Sequence, residues 1–346
     1  MDTTLVFDVE DPVTPESDDV AKWLAETLTE EDVEATFFVT GAKARALEER
    51  GRDDVVAALA RHDVGFHSDT HSVHPTVSEY LEDAGWEEGV AEVRRRELDG
   101  LADVERVFGT DARAFGLTGG SYAPQVGTAL AASGLAFAYS PFSLPTAEVY
   151  RYAGALTFGS HTRGFDETYA DTDAFEERLD WLADHLESRA AEGADWVGVF
   201  GAHPTTVRAT EFWDGVNFAD GANPPREERE APPLRPESAM ETARENFRRL
   251  VRFLRDHDLV SLRTVGDLAD EYAAASAGAP AGVDGERLVA RAARFVRSDA
   301  LAVDDPLSPA EATAAFADAL LATDPVPARL GRRDVLGPTA DPPRDP

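Results

Sequence analysis

The chain has 346 residues, of which 43% are hydrophobic, so it is long enough to bury a large core and should not be disordered over most of its length. It carries 66 acidic against 33 basic residues and a formal net charge of −33, which makes nucleic acid and anionic membrane surfaces unfavourable partners. The absence of cysteine excludes disulfides, thiolate metal sites and a cysteine nucleophile.

The first 270 residues alternate short apolar segments with amphipathic ones, the pattern of a parallel α/β architecture. In chain order, the predicted strands are 4–10, 34–40, 63–68, 114–117, 136–139, 196–202 and 259–262. The predicted helices between and after them are 18–30, 42–62, 86–108, 173–191, 238–257 and 265–275. About seven β/α units of this kind favour a barrel over an open sheet.

Two segments interrupt this alternation. The connection at 204–236 is too long for an ordinary loop inside a compact domain, which indicates a functional role. The stretch 276–285 consists mostly of Ala, Gly, Pro and Ser and predicts a linker. We therefore expect a barrel at 1–275, a linker at 276–285 and a helical C-terminal extension of unknown role at 286–346.

The distribution of charge and the N-terminus bear on location. Acidic residues occur in every segment, and Lys22 and Lys43 are the only lysines, a composition typical of a halophilic protein from a cell that holds molar salt. No apolar run approaches the roughly 20 residues that span a bilayer. The N-terminus also lacks the basic region of a secretory signal. The expected location is cytoplasmic.

Histidines cluster where the predicted strand 63–68 ends. His67 and His71 are four residues apart, so both imidazoles can reach one cation if the chain turns helically there. A polar loop whose histidines only form hydrogen bonds is the commoner explanation of an isolated pair.

Acidic residues lie at the end of the first predicted strand. Asp8 and Glu10 share one face of an extended chain, and Pro12 keeps the preceding Asp11 extended. Carboxylates at the end of an apolar strand are costly unless they meet a cation or water. A solvated turn is the alternative in so acidic a protein.

A further histidine, His203, ends the apolar strand 196–202, where a structural role is equally compatible with the sequence. The carboxylates, the histidine pair and His203 all lie at the carboxyl ends of predicted strands, and these ends lie on one face of a parallel barrel. One carboxylate and two imidazoles form an N₂O ligand set that suits zinc or another borderline divalent metal.

Four motifs in this order resemble the polysaccharide deacetylase family, which has the NodB-type fold and is carbohydrate esterase family 4-like. They are LVFD at 5–8, ATFFVTG at 35–41, DVGFHS with His71 at 63–71, and His203-Pro204. The resemblance covers about 1–270. It implies a distorted (β/α)7-8 barrel and a metal-dependent hydrolase of a C–N amide bond in carbohydrate metabolism, most simply in an N-acetylated sugar.

The resemblance also implies roles for individual residues. Asp8 would be the base that activates water, and His203 would protonate the leaving amine. Zinc or another divalent metal would be held by His67, His71 and a carboxylate, from Glu10 or alternatively Asp11.

The chain departs from the family pattern at two motifs. The family's aspartate–tryptophan motif is not evident near 139–141. The family's arginine after its fourth strand has no counterpart at 115–122, and Arg163 is a candidate replacement. The alternatives are therefore a catalytically degenerate barrel that binds glycan without turnover, or a hydrolase of glycosidic bonds or cyclic amides on the same fold.

Four further side chains are candidates for contact with a carbohydrate or small amide substrate. His74 is an extra histidine beside the metal motif, which could also ligate the metal or could equally stabilise the loop. The other candidates are aromatic residues of the long connection, for which burial against helices is the alternative: Phe212, Trp213 and Phe218.

Overall fold

A curled, mostly parallel sheet forms the centre of the protein in the computed structural model. The structure describes residues 1–118, 121–138, 149–152, 155–159, 161–277, 282–284 and 329–331. The strands of this sheet are β1 (Asp2–Val9), β2 (Thr36–Val39), β3 (Asp63–Phe66), β4 (Ala114–Phe115), β5 (Ala136–Phe137), β6 (Tyr150–Tyr152), β7 (Ala155–Thr157), β8 (Trp196–Ala202) and β9 (Ser261–Leu262). They run in the order β6-β7-β5-β4-β3-β2-β1-β8, with β9 beside the start of β1.

Helices surround this sheet. They are α1 (Pro15–Glu30), α2 (Gly41–Glu49), α3 (Asp53–Leu59), α4 (Val77–Tyr80), α5 (Trp86–Phe108), α6 (Pro124–Ala131), α7 (Thr172–Ala191), α8 (Pro204–Arg208), α9 (Trp213–Phe218), α10 (Glu237–Asp256) and α11 (Val265–Ala277). Short 3-10 turns occupy Asp166–Ala170, Ala219–Gly221 and Arg226–Glu228.

The alternation of side chains along β1 positions the site. Leu5, Phe7 and Val9 point into the larger hydrophobic core, beneath the helices. Val6 points the other way, into a second core that α11 completes through Val265. The next residues on this inner face, Asp8 and Glu10, are polar. The carboxyl end of the strand therefore presents a polar site beside the second core.

The sheet closes irregularly. No strand ladder joins β8 to β6 within the described ranges. Instead the segment 161–165 runs beside β8, where the Thr162 N–H donates to the Gly198 carbonyl at 2.9 Å and the Phe165 N–H donates to the Gly201 carbonyl at 3.2 Å. This arrangement is a distorted parallel barrel, which confirms the predicted fold class.

Several predicted elements differ in detail. The single helix expected at 42–62 is two helices, α2 and α3, because the chain turns at Gly51, whose φ of 63° suits glycine. The helices α4, α6, α8 and α9 and the strands β6 and β7 were not predicted. All are short, so they carry little periodic signal.

The predicted linker and C-terminal extension lie almost wholly outside the described residues. There the structure describes a two-stranded antiparallel ladder of β10 (Gly282–Asp284) and β11 (Arg329–Gly331). Among the described helices, none combines the length and apolar character that crossing a bilayer requires.

Candidate metal and catalytic site

Glu10 is the centre of the site. It lies directly after β1, two residues beyond Asp8, and its side chain is buried. One carboxylate oxygen, Oε2, is 3.1 Å from Nε2 of His67 and 2.8 Å from Nε2 of His71. The predicted carboxylate and histidine pair therefore meet at one point.

His67 directly follows β3 and is held by backbone. Its Nδ1–H donates to the carbonyl of Gly116 at 2.9 Å, since a carbonyl can only accept. Gly116 permits this approach, because a Cβ at that position would lie 2.9 Å from the imidazole Nδ1. The hydrogen bond leaves Nε2, the atom that faces Glu10, without the ring hydrogen in the neutral imidazole.

His71 is presented by a tight loop. Ser68 and His71 both have left-handed backbone angles, with φ of 67° and 54°, so the chain curls back toward Glu10. Nδ1 of His71 is 2.6 Å from Oγ of Ser72, and this hydroxyl donates to Oδ2 of Asp214 at 3.0 Å. A short polar relay thus supports the second imidazole.

Glu10, His67 and His71 fit a divalent metal. One ligand atom from each residue lies within 4.8 Å of the others, and the set is the N₂O type found in catalytic zinc sites. Both imidazoles use Nδ1 elsewhere, so each has Nε2 available, as metal-ligating histidines normally do. The structure thus brings together the three residues that the sequence names as candidate ligands.

The charges of this cluster are mutually stabilising. Burial would raise the pKa of Glu10, but the charge of His71 and hydrogen bonds from both histidines hold that pKa well below its ordinary value. Burial opposes protonation of His67, yet the charge of Asp8 and the hydrogen bond to Glu10 raise its pKa. The site therefore favours an ionised carboxylate facing positive charge.

His203 follows β8 and lies across the cleft. Its backbone N–H and its Nδ1 both lie close to Oδ1 of Asp166, at 2.8 and 2.9 Å, and its Nε2 is 3.7 Å from Oδ2 of Asp8. Burial opposes protonation of this imidazole, but the Asp166 hydrogen bond and the charges of Glu10 and Asp8 outweigh it and raise the pKa of His203 to about 10.

Sequence reasoning did not identify Asp166. It lies in the sequence GFDE, after the segment that closes the barrel beside β8, and neither spacing nor periodicity links it to His203. The available signal was an acidic pair directly after a glycine and an aromatic residue, which is common in so acidic a chain.

The structure places Asp11 outside the metal cluster. Its Oδ1 accepts hydrogen bonds from the backbone N–H groups of Val13 and Thr14, at 2.7 and 3.0 Å. Its Oδ2 accepts from the hydroxyl of Thr205 at 2.8 Å. Both oxygens are therefore committed to the turn before α1 and to α8, and Glu10 is the carboxylate that faces the histidines.

The predicted substrate-binding residues differ in whether a substrate in the site could contact them. Trp213 is fully buried and Phe218 nearly so, which leaves neither ring a free face for a sugar. His74 does not belong to the set of Glu10, His67 and His71, and its Nδ1 is 2.7 Å from a carboxylate oxygen of Glu79. Phe212 is partly exposed and packs edge-on against His203, so it is the aromatic residue that a substrate can reach.

These side chains surround a cleft of ≈ 370 Å³. The lining residues are mostly acidic groups and histidines: Asp8, Glu10, His67, His71, Asp166, Glu167, His203, Thr206, Phe212 and Asp214. Among the described residues, neither lysine nor arginine lines it, and Arg163 is exposed outside it.

The sequence matches no protein-family model and no curated protein sequence. Solved structures with a similar fold include a family 4 carbohydrate esterase from Streptomyces lividans in complex with acetate, at 14% identity and a TM-score of 0.40, with 75% of this chain and 90% of that chain covered. Another is the Puue allantoinase, at 14% identity and a TM-score of 0.48, with 79% and 90% covered. A third is a pseudoenzyme of carbohydrate esterase family 4 from Bacillus anthracis, at 14% identity and a TM-score of 0.41, with 78% and 65% covered.

Two of these proteins are of carbohydrate esterase family 4, the family whose motifs the sequence resembles. At such identities and TM-scores the likeness carries no conclusion about activity. Function is therefore inferred from the site residues of this chain.

Proposed function

We propose that the protein is a metal-dependent hydrolase of a carbon–nitrogen bond, most simply one that removes the acetyl group from an N-acetylated sugar. The observation that carries this proposal is the convergence of two units on one cleft. One unit is the set of Glu10, His67 and His71, and the other is Asp8 facing His203. Such a cleft combines a cation site with a base and an acid.

The ligand set would hold one divalent metal, with zinc the best match to its chemistry. A metal there would supply Lewis acidity, which polarises an amide carbonyl and makes water easier to deprotonate. Glu10 is suited to binding because it is ionised and buried, with Oε2 directed at both imidazoles.

Asp8 is the proposed general base. It lines the cleft, and its Oδ2 lies 3.7 Å from Nε2 of both His67 and His203. Glu10 is less suited to this role, because its oxygens are directed at Trp213 and at the histidine pair. Asp8 can take a proton from the attacking water while the carboxylate of Glu10 stays in place.

His203 is the proposed general acid. Its raised pKa keeps the imidazole protonated at neutral pH, so it begins the reaction with the proton that the leaving amine needs. Asp166 fixes the ring through Nδ1, which aims Nε2 into the cleft. The acid and the base are therefore distinct groups at the carboxyl ends of different strands of the barrel.

The cleft also restricts the substrate. Five lining residues carry carboxylates, and a divalent cation with a protonated His203 would not neutralise all of them. We therefore propose a neutral or cationic amide as substrate, with an apolar face of the sugar against Phe212. Phosphorylated and carboxylated sugars would be repelled.

The test uses two substitutions in the same strand end. Asp8→Asn keeps nearly the same volume but cannot take a proton at neutral pH, so Zn²⁺ binding should persist while turnover falls about 10²–10⁴-fold. Glu10→Gln weakens a ligand instead, so metal and turnover should be lost together. The assay is acetate or amine release from neutral N-acetylated sugars and cyclic amides, with zinc, cobalt or manganese added in molar salt.

The outcomes separate the alternatives. A wild-type protein that binds metal and sugar but releases no product would indicate the degenerate glycan-binding barrel. Cleavage of a glycosidic bond with no amine released would indicate a different hydrolase. Loss of metal in Asp8→Asn would instead make Asp8 a ligand and remove it as the base.

A further inference from the structure

The two ends of the long connection between β8 and α10 contact each other. Ala209 and Leu234 form an isolated antiparallel bridge, and the Arg235 N–H donates to the carbonyl of Arg208 at 2.8 Å. Within this excursion, the buried Asn217 donates from Nδ2 to the carbonyls of Trp213 and Glu230, at 2.7 and 2.9 Å. The helix α9 is thus fixed to the rest of the excursion.

The first residue of α9 contacts the buried carboxylate of the site. The indole Nε1–H of Trp213 donates to Oε1 of Glu10 at 3.0 Å, with both side chains buried. An indole N–H can donate but not accept, so it favours the ionised carboxylate. Because Oε1 is engaged in this way, Oε2 is the oxygen directed at the two histidines.

The second residue of α9 supports the loop histidine. Oδ2 of Asp214 accepts the hydroxyl hydrogen of Ser72, and the same hydroxyl oxygen lies 2.6 Å from Nδ1 of His71. Because the hydroxyl donates to the carboxylate, it is left to accept from the Nδ1–H of His71. This chain of hydrogen bonds directs Nε2 of His71 toward Glu10.

We propose that Trp213 and Asp214, which we call the ligand clamp, are positioning residues that set the affinity of the site for a divalent metal ion. The inference rests on the proposed function and adds two residues that the sequence motifs do not assign to the metal. Each clamp residue orients a different ligand, whereas His67 is oriented independently by the carbonyl of Gly116. Partners that orient metal ligands typically contribute about 10–100-fold in metal affinity.

The test measures Zn²⁺ affinity of the full chain, by competition with a chromophoric chelator and without substrate. Trp213→Phe and Asp214→Ala should each weaken Zn²⁺ binding about 10–100-fold. Asp214→Asn keeps an acceptor oxygen for Ser72, so it should retain most of the Zn²⁺ affinity that Asp214→Ala loses. The matched controls are Trp181→Phe, which changes an exposed tryptophan, and Asp220→Asn, which changes an exposed acidic residue of the same connection. Both variants should bind Zn²⁺ as tightly as the wild type.

A double-mutant cycle tests whether Asp214 acts through the relay. Ser72→Ala should weaken Zn²⁺ binding as much as Asp214→Ala does, and combining the two should add little, because they break one chain of hydrogen bonds. If Trp213→Phe fails to fold, these partly exposed relay positions still test the inference. Unfolding midpoints of the metal-free variants show whether any loss of affinity reflects general destabilisation.

Unchanged Zn²⁺ affinity in Trp213→Phe and Asp214→Ala overturns the clamp but leaves the hydrolase proposal standing. Bound Zn²⁺ with no turnover of any substrate overturns the hydrolase but leaves the clamp standing. A wild-type protein that binds no Zn²⁺ overturns both.

Discussion

Two glycines of the long helix α5 should respond to alanine in opposite ways. Replacing glycine by alanine inside a helix ordinarily stabilises by about 0.5–1 kcal/mol. Gly100, however, faces the loop that carries the metal-site histidines. A Cβ there would lie 2.8 Å from Cα and 2.7 Å from Cβ of Asp69, distances that real Cβ atoms do not show.

Relief of that contact requires movement of backbone. Overpacking of this kind costs about 1–3 kcal/mol, which exceeds the gain in helix propensity, so Gly100→Ala should destabilise by about 1–2 kcal/mol. Because Asp69 lies two residues before His71, the displacement should also reach that ligand. We expect Zn²⁺ affinity to fall about tenfold, the lower end of the range for a misplaced ligand.

Gly89, in the same helix, is the matched control. A Cβ there would meet the side chains of Gln125, at 3.0 Å, and Leu81, at 3.3 Å, and flexible side chains can move aside. Gly89→Ala should therefore keep most of the propensity gain and leave Zn²⁺ affinity unchanged. Thermal unfolding resolves the difference, since 1 kcal/mol shifts the midpoint by about 2–4 °C in a domain of this size. The reasoning would be refuted if Gly100→Ala had the same unfolding midpoint and the same Zn²⁺ affinity as Gly89→Ala.

Two further predictions concern pH and salt. Burial lowers the pKa of His161 to about 3, while an unfolded imidazole titrates near 6.5, so stability should fall as pH drops below about 6.5, by up to about 1.4 kcal/mol per pH unit. His161→Gln should show a shallower dependence in urea unfolding, and an unchanged slope would contradict this. The charge of −33 predicts that the unfolding midpoint rises from dilute buffer to molar KCl, because screening weakens acid–acid repulsion. A midpoint that is unchanged or higher in dilute buffer would contradict that prediction.

The parts of the site that the sequence predicts are local in the chain or follow from strand direction. His67 and His71 are recognisable because one loop contains both ligands. Asp8 and Glu10 share a face because side chains alternate along β1, and parallel strands bring their carboxyl ends to one rim. The same reasoning predicts that His203, at the end of β8, lies on that rim.

The partners of these residues could not be predicted in this way. Asp166 is 37 residues from His203, Asp214 is 142 residues from Ser72, and Trp213 is 203 residues from Glu10. Each contact depends on where an irregular segment returns to the barrel, and neither periodicity nor motif spacing encodes that path. The aromatic character of Trp213 indicated a role near the site, but whether it contacts substrate or a ligand depends on burial, which the tertiary structure decides.

The strand end at β1 shows how similar side chains acquire different roles. Asp8, Glu10 and Asp11 are three carboxylates within four residues, a costly arrangement unless each charge meets its own partner. Glu10 meets an indole N–H and two imidazoles, and Asp11 meets two backbone N–H groups and a hydroxyl. Asp8 lines the cleft, and its Oδ2 lies 3.7 Å from Nε2 of His67 and 3.7 Å from Nε2 of His203. This position, between a proposed metal ligand and the proposed acid and open to the cleft, is where a base can take a proton from water, which is the role we propose for Asp8.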